Sequence, residues 1–219
     1  MKGETDSIKK IKGKGKKEKQ AREFWWVIGT MLGLIIVFFI FYWFFQSLNN
    51  FTYEGLAFTK EKFGQIPVFH YYYYFNDEAG KTYQYNLYLR NDPRKNVVPV
   101  KGDIELSIGN PVYISIDSRE LAYCPMSSVA VSSIASFLSN NLLDVKSGIA
   151  DKSIAQELNR SYVTCETNAN DDVIILKAGN TTEVTRENSC YVITAANCEI
   201  IPAVEKFIVQ AIIDARKSK

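Results

Sequence analysis

The sequence predicts an α+β domain carried behind a single N-terminal transmembrane helix. Three observations predict it. Residues 24–53 contain no charged side chain. Beyond them, stretches alternating with a period of two give way to stretches with helical spacing, in the order strands, helices, strands, helix. The charge is also divided. The 219 residues carry a formal net charge of +2, yet residues 1–23 hold nine basic and four acidic side chains and the remainder holds 17 and 20. A tail with a surplus of five positive charges therefore precedes a chain with a surplus of three negative ones.

Three regions follow: a disordered basic cytoplasmic tail over 1–23, a transmembrane signal anchor over 24–45, and one extracytoplasmic domain over 46–219. The tail interleaves Lys9, Lys10, Lys12, Lys14, Lys16, Lys17, Lys19 and Arg22 with Gly13 and Gly15. It offers no apolar face for folding. Its charge suits anionic lipid headgroups at about 1 kcal/mol per basic residue. Without aromatic residues among those lysines to stack bases, no nucleic-acid partner is expected.

The anchor is apolar over 22 positions except at Gly29, Thr30 and Gly33, with Phe24, Trp25 and Trp26 at one end and Tyr42 and Trp43 at the other. As a helix it would span about 33 Å, against a hydrocarbon core of about 30 Å, with aromatic residues at both interfaces. A cleaved signal peptide is the alternative, but the apolar stretch is too long and no small-residue cleavage site ends it. The positive-inside rule keeps the lysines in the cytoplasm and puts the C-terminal domain outside, in the cell membrane's outer compartment. Gly29 and Gly33 form a G-x-x-x-G, which lets two helices approach and makes a homodimer a candidate assembly.

The outer domain opens with strands. Residues 66–75 are rich in aromatics, and Tyr83, Tyr85, Leu87 and Leu89 alternate with polar residues and Tyr88. The turn residues of 76–81 join the two runs as a hairpin. Strands over 104–108 and 112–117 follow. Pro125 then stands at a helix start, followed by Val131, Ile134, Ala135, Leu138 and Leu142 on one face and Ser128, Ser132, Ser136 and Ser139 on another. A second helix is expected over 151–159, then strands over 162–166, 173–177 and 190–194. From Pro202, Val204, Phe207, Ile208, Ala211, Ile212 and Ala215 mark an amphipathic helix. The expected result is a mixed or antiparallel sheet with about three helices. A weak internal echo relates the strand before Cys124-Pro125 to the strand before Cys198 and the Pro202 helix.

The four cysteines, Cys124, Cys165, Cys190 and Cys198, all lie on the predicted outer side. In an oxidising compartment an even number implies disulfides. Of the three connectivities, the preferred one joins Cys190 to Cys198 and Cys124 to Cys165. The functional alternative is a reactive Cys124 thiol at a helix start. No C-x-x-C supports it, and the single histidine, His70, sits in a strand among tyrosines with no nearby carboxylate in sequence. No calcium loop, Walker A, G-x-G-x-x-G or G-x-S-x-G motif occurs, so no catalytic residue, metal ligand or cofactor is expected. Three N-x-[ST] sequons, at Asn50, Asn159 and Asn180, agree with an outside location.

Tyr71, Tyr72, Tyr73, Tyr74, Tyr83, Tyr85 and Tyr88 form the candidate partner surface. Alternation turns some of these rings outward, where tyrosine supplies amphipathic contact area for a protein or glycan. The opposing explanation is cross-strand pairing that stabilises the sheet alone. The turn over 90–95, with Arg90, Arg94 and Lys95, is a weaker candidate for an anion. The chain thus reads as a single-pass, membrane-anchored envelope protein whose outer domain binds a partner or serves structurally, without catalysis. Two alternatives stand beside it: an extracytoplasmic thiol-disulfide oxidoreductase or hydrolase, and an accessory subunit of a membrane complex.

Overall fold

The structure is a computed structural model. It describes residues 3–77, 79–107 and 109–218, with side chains from residue 22 onward except at 46, 118 and 120. The chain forms two compact units, Met1–Asn50 and Phe51–Lys219. The first unit is helix α1 (Gly3–Asn49). Within it, Arg22–Asn49 is long and apolar enough to cross a membrane, and none of that apolar surface is buried. The unstructured tail expected over 1–23 falls almost wholly on residues whose side chains lie outside the described set.

The second unit is α+β with two sheets rather than one. The first is a four-stranded antiparallel sheet in the order β1 (Asn50–Tyr53), β2 (Leu56–Phe63), β3 (Ile66–Asn76), β4 (Thr82–Leu89). The hairpin of aromatic residues is its β3–β4 pair, in continuous register from Phe69↔Leu89 to Asn76↔Thr82. Its turn closes on Asp77, whose Oδ1 accepts from the Lys81 N–H at 2.8 Å. The sequence pattern missed β2 because its alternation stops after Leu56 and Phe58, where Lys60 and Lys62 replace the apolar residues.

The rest of the chain adds β5 (Val100–Lys101), β6 (Pro111–Ile116), α2 (Ser118–Leu121), α3 (Ser127–Asn140), β7 (Asp144–Ile149), α4 (Lys152–Glu157), β8 (Asp172–Ala178), β9 (Glu183–Glu187), β10 (Cys190–Ala195) and α5 (Ile200–Lys217). These strands make a mixed sheet in the order β5-β9-β10-β8-β6-β7. Four neighbours, β10, β8, β6 and β7, run parallel, and β9 runs against β10. The Val173–Ile174–Ile175–Leu176 run of β8 is continuously apolar, as a parallel strand covered on both faces should be. Four helices follow the apolar one, with α2 and α4 each only a turn or two long.

Helices α3 and α5 pack between the two sheets. Phe137 of α3 meets Tyr85 of β4 edge to face at 5.8 Å, and Phe207 of α5 meets Tyr191 of β10 at the same distance. On its other flank α5 reaches the first sheet through Lys206, which donates to the Tyr53 hydroxyl, and Arg216, which donates to the Gly55 carbonyl. This explains why Val209 and Ile213 are buried along with the predicted stripe of Val204, Phe207, Ile208, Ala211 and Ile212. An amphipathic helix on one sheet would leave them in water.

The strand expected over 104–108 is irregular where described. Buried carboxylates take its backbone donors instead of a sheet ladder. Asp214 Oδ2 accepts from Ile104 N at 2.9 Å, and Asp172 Oδ2 accepts from Ser107 N at 2.6 Å. A buried, irregular connection needs such acceptors, because each lost backbone hydrogen bond is costly. The strand expected over 162–166 likewise reduces to a single bridge between Tyr162 and Ile149.

Helix α3 ends in a Schellman pattern. Leu143 N donates to Leu138 O, and Leu142 N donates to Ser139 O. The left-handed position belongs to Leu142, with φ 64° and half its surface exposed. Glycine suits that conformation better. Leu142→Gly should therefore raise stability by about 1 kcal/mol, since the removed backbone strain outweighs the added chain entropy. Urea unfolding of the full chain in detergent micelles measures it, and a lower midpoint would contradict the assignment of this cap.

Candidate functional site

Alternation along β3 and β4 sorts the predicted tyrosine surface into two sets. Tyr71, Tyr73, Tyr83 and Tyr85 turn toward the core, and Tyr72, Tyr74 and Tyr88 turn outward. The inner set is structural. Tyr73 donates from its hydroxyl to Asn141 Oδ1 at 2.5 Å, and Tyr83 donates to Asp77 Oδ2 at 3.2 Å. Burial pushes the Tyr85 hydroxyl up to about 12 and raises that of Tyr73 further. These rings contact one another in a continuous series, with Phe75 stacked on Tyr83 at 5.7 Å and Tyr73 tilted against Tyr85 at 5.5 Å. Cross-strand pairing thus accounts for four of the seven.

The outer set lies open. Tyr72, Tyr74 and Tyr88 are 53%, 62% and 55% exposed. His70 lies among them, its ring stacked on Tyr88 with centroids 4.5 Å apart. Its Nδ1 is 3.0 Å from Glu61 Oε1 on β2, and its Nε2 is 3.1 Å from Asn86 Oδ1 on β4. Sequence separation hid both neighbours, because pairing of β2 with β3 and of β3 with β4 brings them to one face. Gln84 Nε2 donates to Asn86 Oδ1 as well, at 3.1 Å. The result is an exposed face of aromatic rings with a polar network, Glu61–His70–Asn86–Gln84, running through it.

The same hairpin has an open side. β4 ends the sheet, and a groove of about 410 Å3 runs between it, α3 and α5. The wall formed by α3 includes Ser128, Ser132 and Ser136, the hydroxyl face of the sequence pattern. Glu205 of α5 closes one end. Its carboxylate is 7% exposed and accepts from Arg90 N at 2.5 Å, Asn91 N at 3.2 Å and Asn91 Nδ2 at 2.8 Å. Burial raises its carboxyl above the ordinary value, and the three donors oppose that rise. Its place beside Val204 in an apolar stretch was the available sequence signal, but on a one-sided helix that position would face water.

In the 90–95 turn, Arg94 pairs with Asp92 at 2.7 Å and lies 3.7 Å over the Phe51 ring. Arg94 and that hydrogen bonding hold the Asp92 carboxyl below its usual range. The turn is thereby a packed connection.

The cysteines pair differently from the preferred connectivity. The disulfides are Cys124–Cys198 and Cys165–Cys190. Cys190 begins β10 and Cys198 lies beyond its end at Ala195. Six extended residues separate two Cα atoms by about 17 Å, whereas a disulfide needs about 4.4–6.8 Å. The parallel order of β6 and β10 brings the turns after them to the same end of the sheet, and there Cys124 meets Cys198 with Cα atoms 5.1 Å apart. The two halves of the weak internal echo are thus joined by a covalent bond. Among the described residues no cysteine is free, and no group of three or more His, Cys, Asp or Glu side chains could hold a metal ion.

Gly29 and Gly33 lie along α1, with room beside each for an added Cβ. Thr30 between them turns its hydroxyl back to the Trp26 and Val27 carbonyls. Lys9 to Lys19 precede the described side chains. Compared with protein-family models, curated proteins and solved structures, the chain matches none.

Proposed function

We propose that the chain is a membrane-anchored protein whose disulfide-bonded outer domain binds a partner through the β3–β4 hairpin. The observation that carries this reading is the outer face of that hairpin. Tyr72, Tyr74 and Tyr88 keep more than half of their surface in water, and His70, held between Glu61 and Asn86, stacks on Tyr88 and lies 5.9 Å from the Tyr72 ring. Exposed, rigid tyrosines are favoured at binding surfaces because they add contact area at low conformational cost. Two disulfides support an oxidising compartment for the domain. The apolar Arg22–Asn49 stretch supports an anchor, and the lysines before it support a cytoplasmic N-terminus. The thiol-disulfide alternative is disfavoured by the pairing of Cys124 with Cys198.

A photocrosslinking amino acid placed singly at Tyr72, Tyr74 and Tyr88 in intact cells should trap one discrete adduct. Placed at Glu157, on α4, it should trap none. Absence of an adduct at all three tyrosine positions would remove the binding reading. Protease added outside the same cells should digest the domain and spare the lysine-rich tail, and the reverse result would invert the topology.

A further inference from the structure

The β2–β3 hairpin outruns the rest of its sheet. β1 has four residues and joins β2 through Glu54 and Gly55, so it accompanies only the first half of the eight-residue β2. On the other side β4 stops at Leu89, opposite Phe69. Beyond those points β2 and β3 continue alone, through Glu61↔Val68, Lys62↔Pro67 and Phe63↔Ile66. Gly64 closes the tip with φ 64°, a conformation that a tight two-residue turn requires. Every residue from 60 to 67 is exposed. Phe63 is 80% exposed, and Ile66, its partner across the turn, is 53% exposed. Lys60 and Lys62 stand on the other face, where Leu56 and Phe58 meet the core further back. The acid between them, Glu61, points away from both, toward His70.

Chain connectivity says what this tip meets. β1 begins at Asn50, directly after α1 ends at Asn49. The apolar run closes at Phe45, so a helix carries the chain only about 7 Å further before β1 starts. The headgroup layer on each side of a bilayer is itself about 5–7 Å thick. β2 runs antiparallel to β1, back toward the end at which β1 starts, and continues about 13 Å past it. We propose that the β2–β3 tip enters the outer face of the membrane that α1 spans, with Phe63 and Ile66 below the headgroups and Lys60 and Lys62 among them. The inference rests on the anchor reading and adds a second contact with the same bilayer.

The chemistry of the tip fits that occupant. Two apolar side chains held in water at a turn gain free energy at the boundary between headgroups and acyl chains. Lysine stems lie along apolar surface while their ammonium groups reach outward, here to lipid phosphates. The anchor also makes the encounter intramolecular, at an effective concentration that a free protein partner does not match.

The test places the full chain in nanodiscs of phosphatidylcholine and phosphatidylglycerol, with a nitroxide on Gln65→Cys in the turn between Phe63 and Ile66. The native cysteines are all in disulfides, so the label attaches only there. Ala79→Cys, exposed in the β3–β4 turn at the opposite end of the sheet, is the reference. The label at 65 should be shielded from a water-soluble nickel chelate and open to oxygen, and the label at 79 the reverse. Phe63→Ser together with Ile66→Ser should lower the ratio of inserted to free tip by about tenfold or more. Both residues are exposed, so this variant keeps the fold. A chain that does not co-elute with the discs removes the anchor reading and this inference with it. A chain that co-elutes while its label is as open to nickel at 65 as at 79 overturns the inference and leaves the anchor standing. Shielding that persists in the serine variant also overturns it, because something other than lipid would then cover the tip.

Discussion

Replacing Cys124 and Cys198 together with alanine is expected to lower stability by about 4 kcal/mol. The bond spans a sequence separation of 74 residues, and closing a loop of that length removes much of the freedom of the unfolded chain. Few single features of a domain weigh as much, because total stabilities are commonly about 5–15 kcal/mol. The Cys165–Cys190 bond spans 25 residues, so removing it should cost about 3.5 kcal/mol, the smaller of the two losses. Alanine is the right replacement at Cys124, which is buried and would strand a serine hydroxyl. Denaturant unfolding of the full chain under non-reducing conditions measures both losses. Peptide mapping of the unreduced protein should recover the segment around Cys124 attached to the one around Cys198. A map joining Cys190 to Cys198 would refute the β10 geometry as well as the pairing.

The second large effect belongs to Glu205. Glu205→Ala should cost about 3 kcal/mol, because it orphans the Arg90 and Asn91 N–H groups and the Asn91 side-chain amide. Glu205→Gln keeps the volume and one acceptor oxygen and should cost about 1–2 kcal/mol near neutral pH. The two variants also separate packing from charge. Burial raises the folded-state carboxyl above its ordinary 4.5. A raised acid contributes stability that is fully present below the unfolded pKa and is lost as pH rises through the folded one. The wild-type advantage over Glu205→Gln should therefore shrink as pH climbs from about 4.5 and then level off. An advantage that grows over the same interval would mean that the three donors outweigh burial.

Both effects concern contacts that sequence reasoning could not place. The cysteines were legible as disulfide-forming, since their number and their position beyond the apolar helix point to bonds. Their pairing was not. It depends on β6 and β10 running parallel, and strand order leaves no local trace. The same holds for Glu205. A helix buried on one face would expose it, while a helix between two sheets buries it, and periodicity along α5 does not announce a second sheet. β7, β9 and β2 escaped for a related reason. β9 places a single apolar residue, Val184, among polar ones, and β7 is polar at the sheet's edge. Their neighbours supply the pairing that their own sequences do not advertise.

The hairpin shows the division most clearly. Period-two alternation and turn residues determined that β3 and β4 exist, that they pair, and that the tyrosines divide between two faces. These are local properties, since a strand's pleat alone sends successive side chains to opposite sides. Which face meets the core was decided by α3 and α5, whose Phe137, C-cap Asn141 and Arg216 meet Tyr85, Tyr73 and Tyr71, while Tyr72, Tyr74 and Tyr88 are left in water. The open edge and groove were decided there too, by where the chain places β4 in its sheet and Ser128, Ser132 and Ser136 across from it. An apolar stretch long enough for a membrane, and a surplus of charge on one side of it, are sums over neighbouring residues and can be read in order. A groove, a disulfide partner or a buried carboxylate's donors come from residues far apart in the chain. They exist only once packing has brought those residues together.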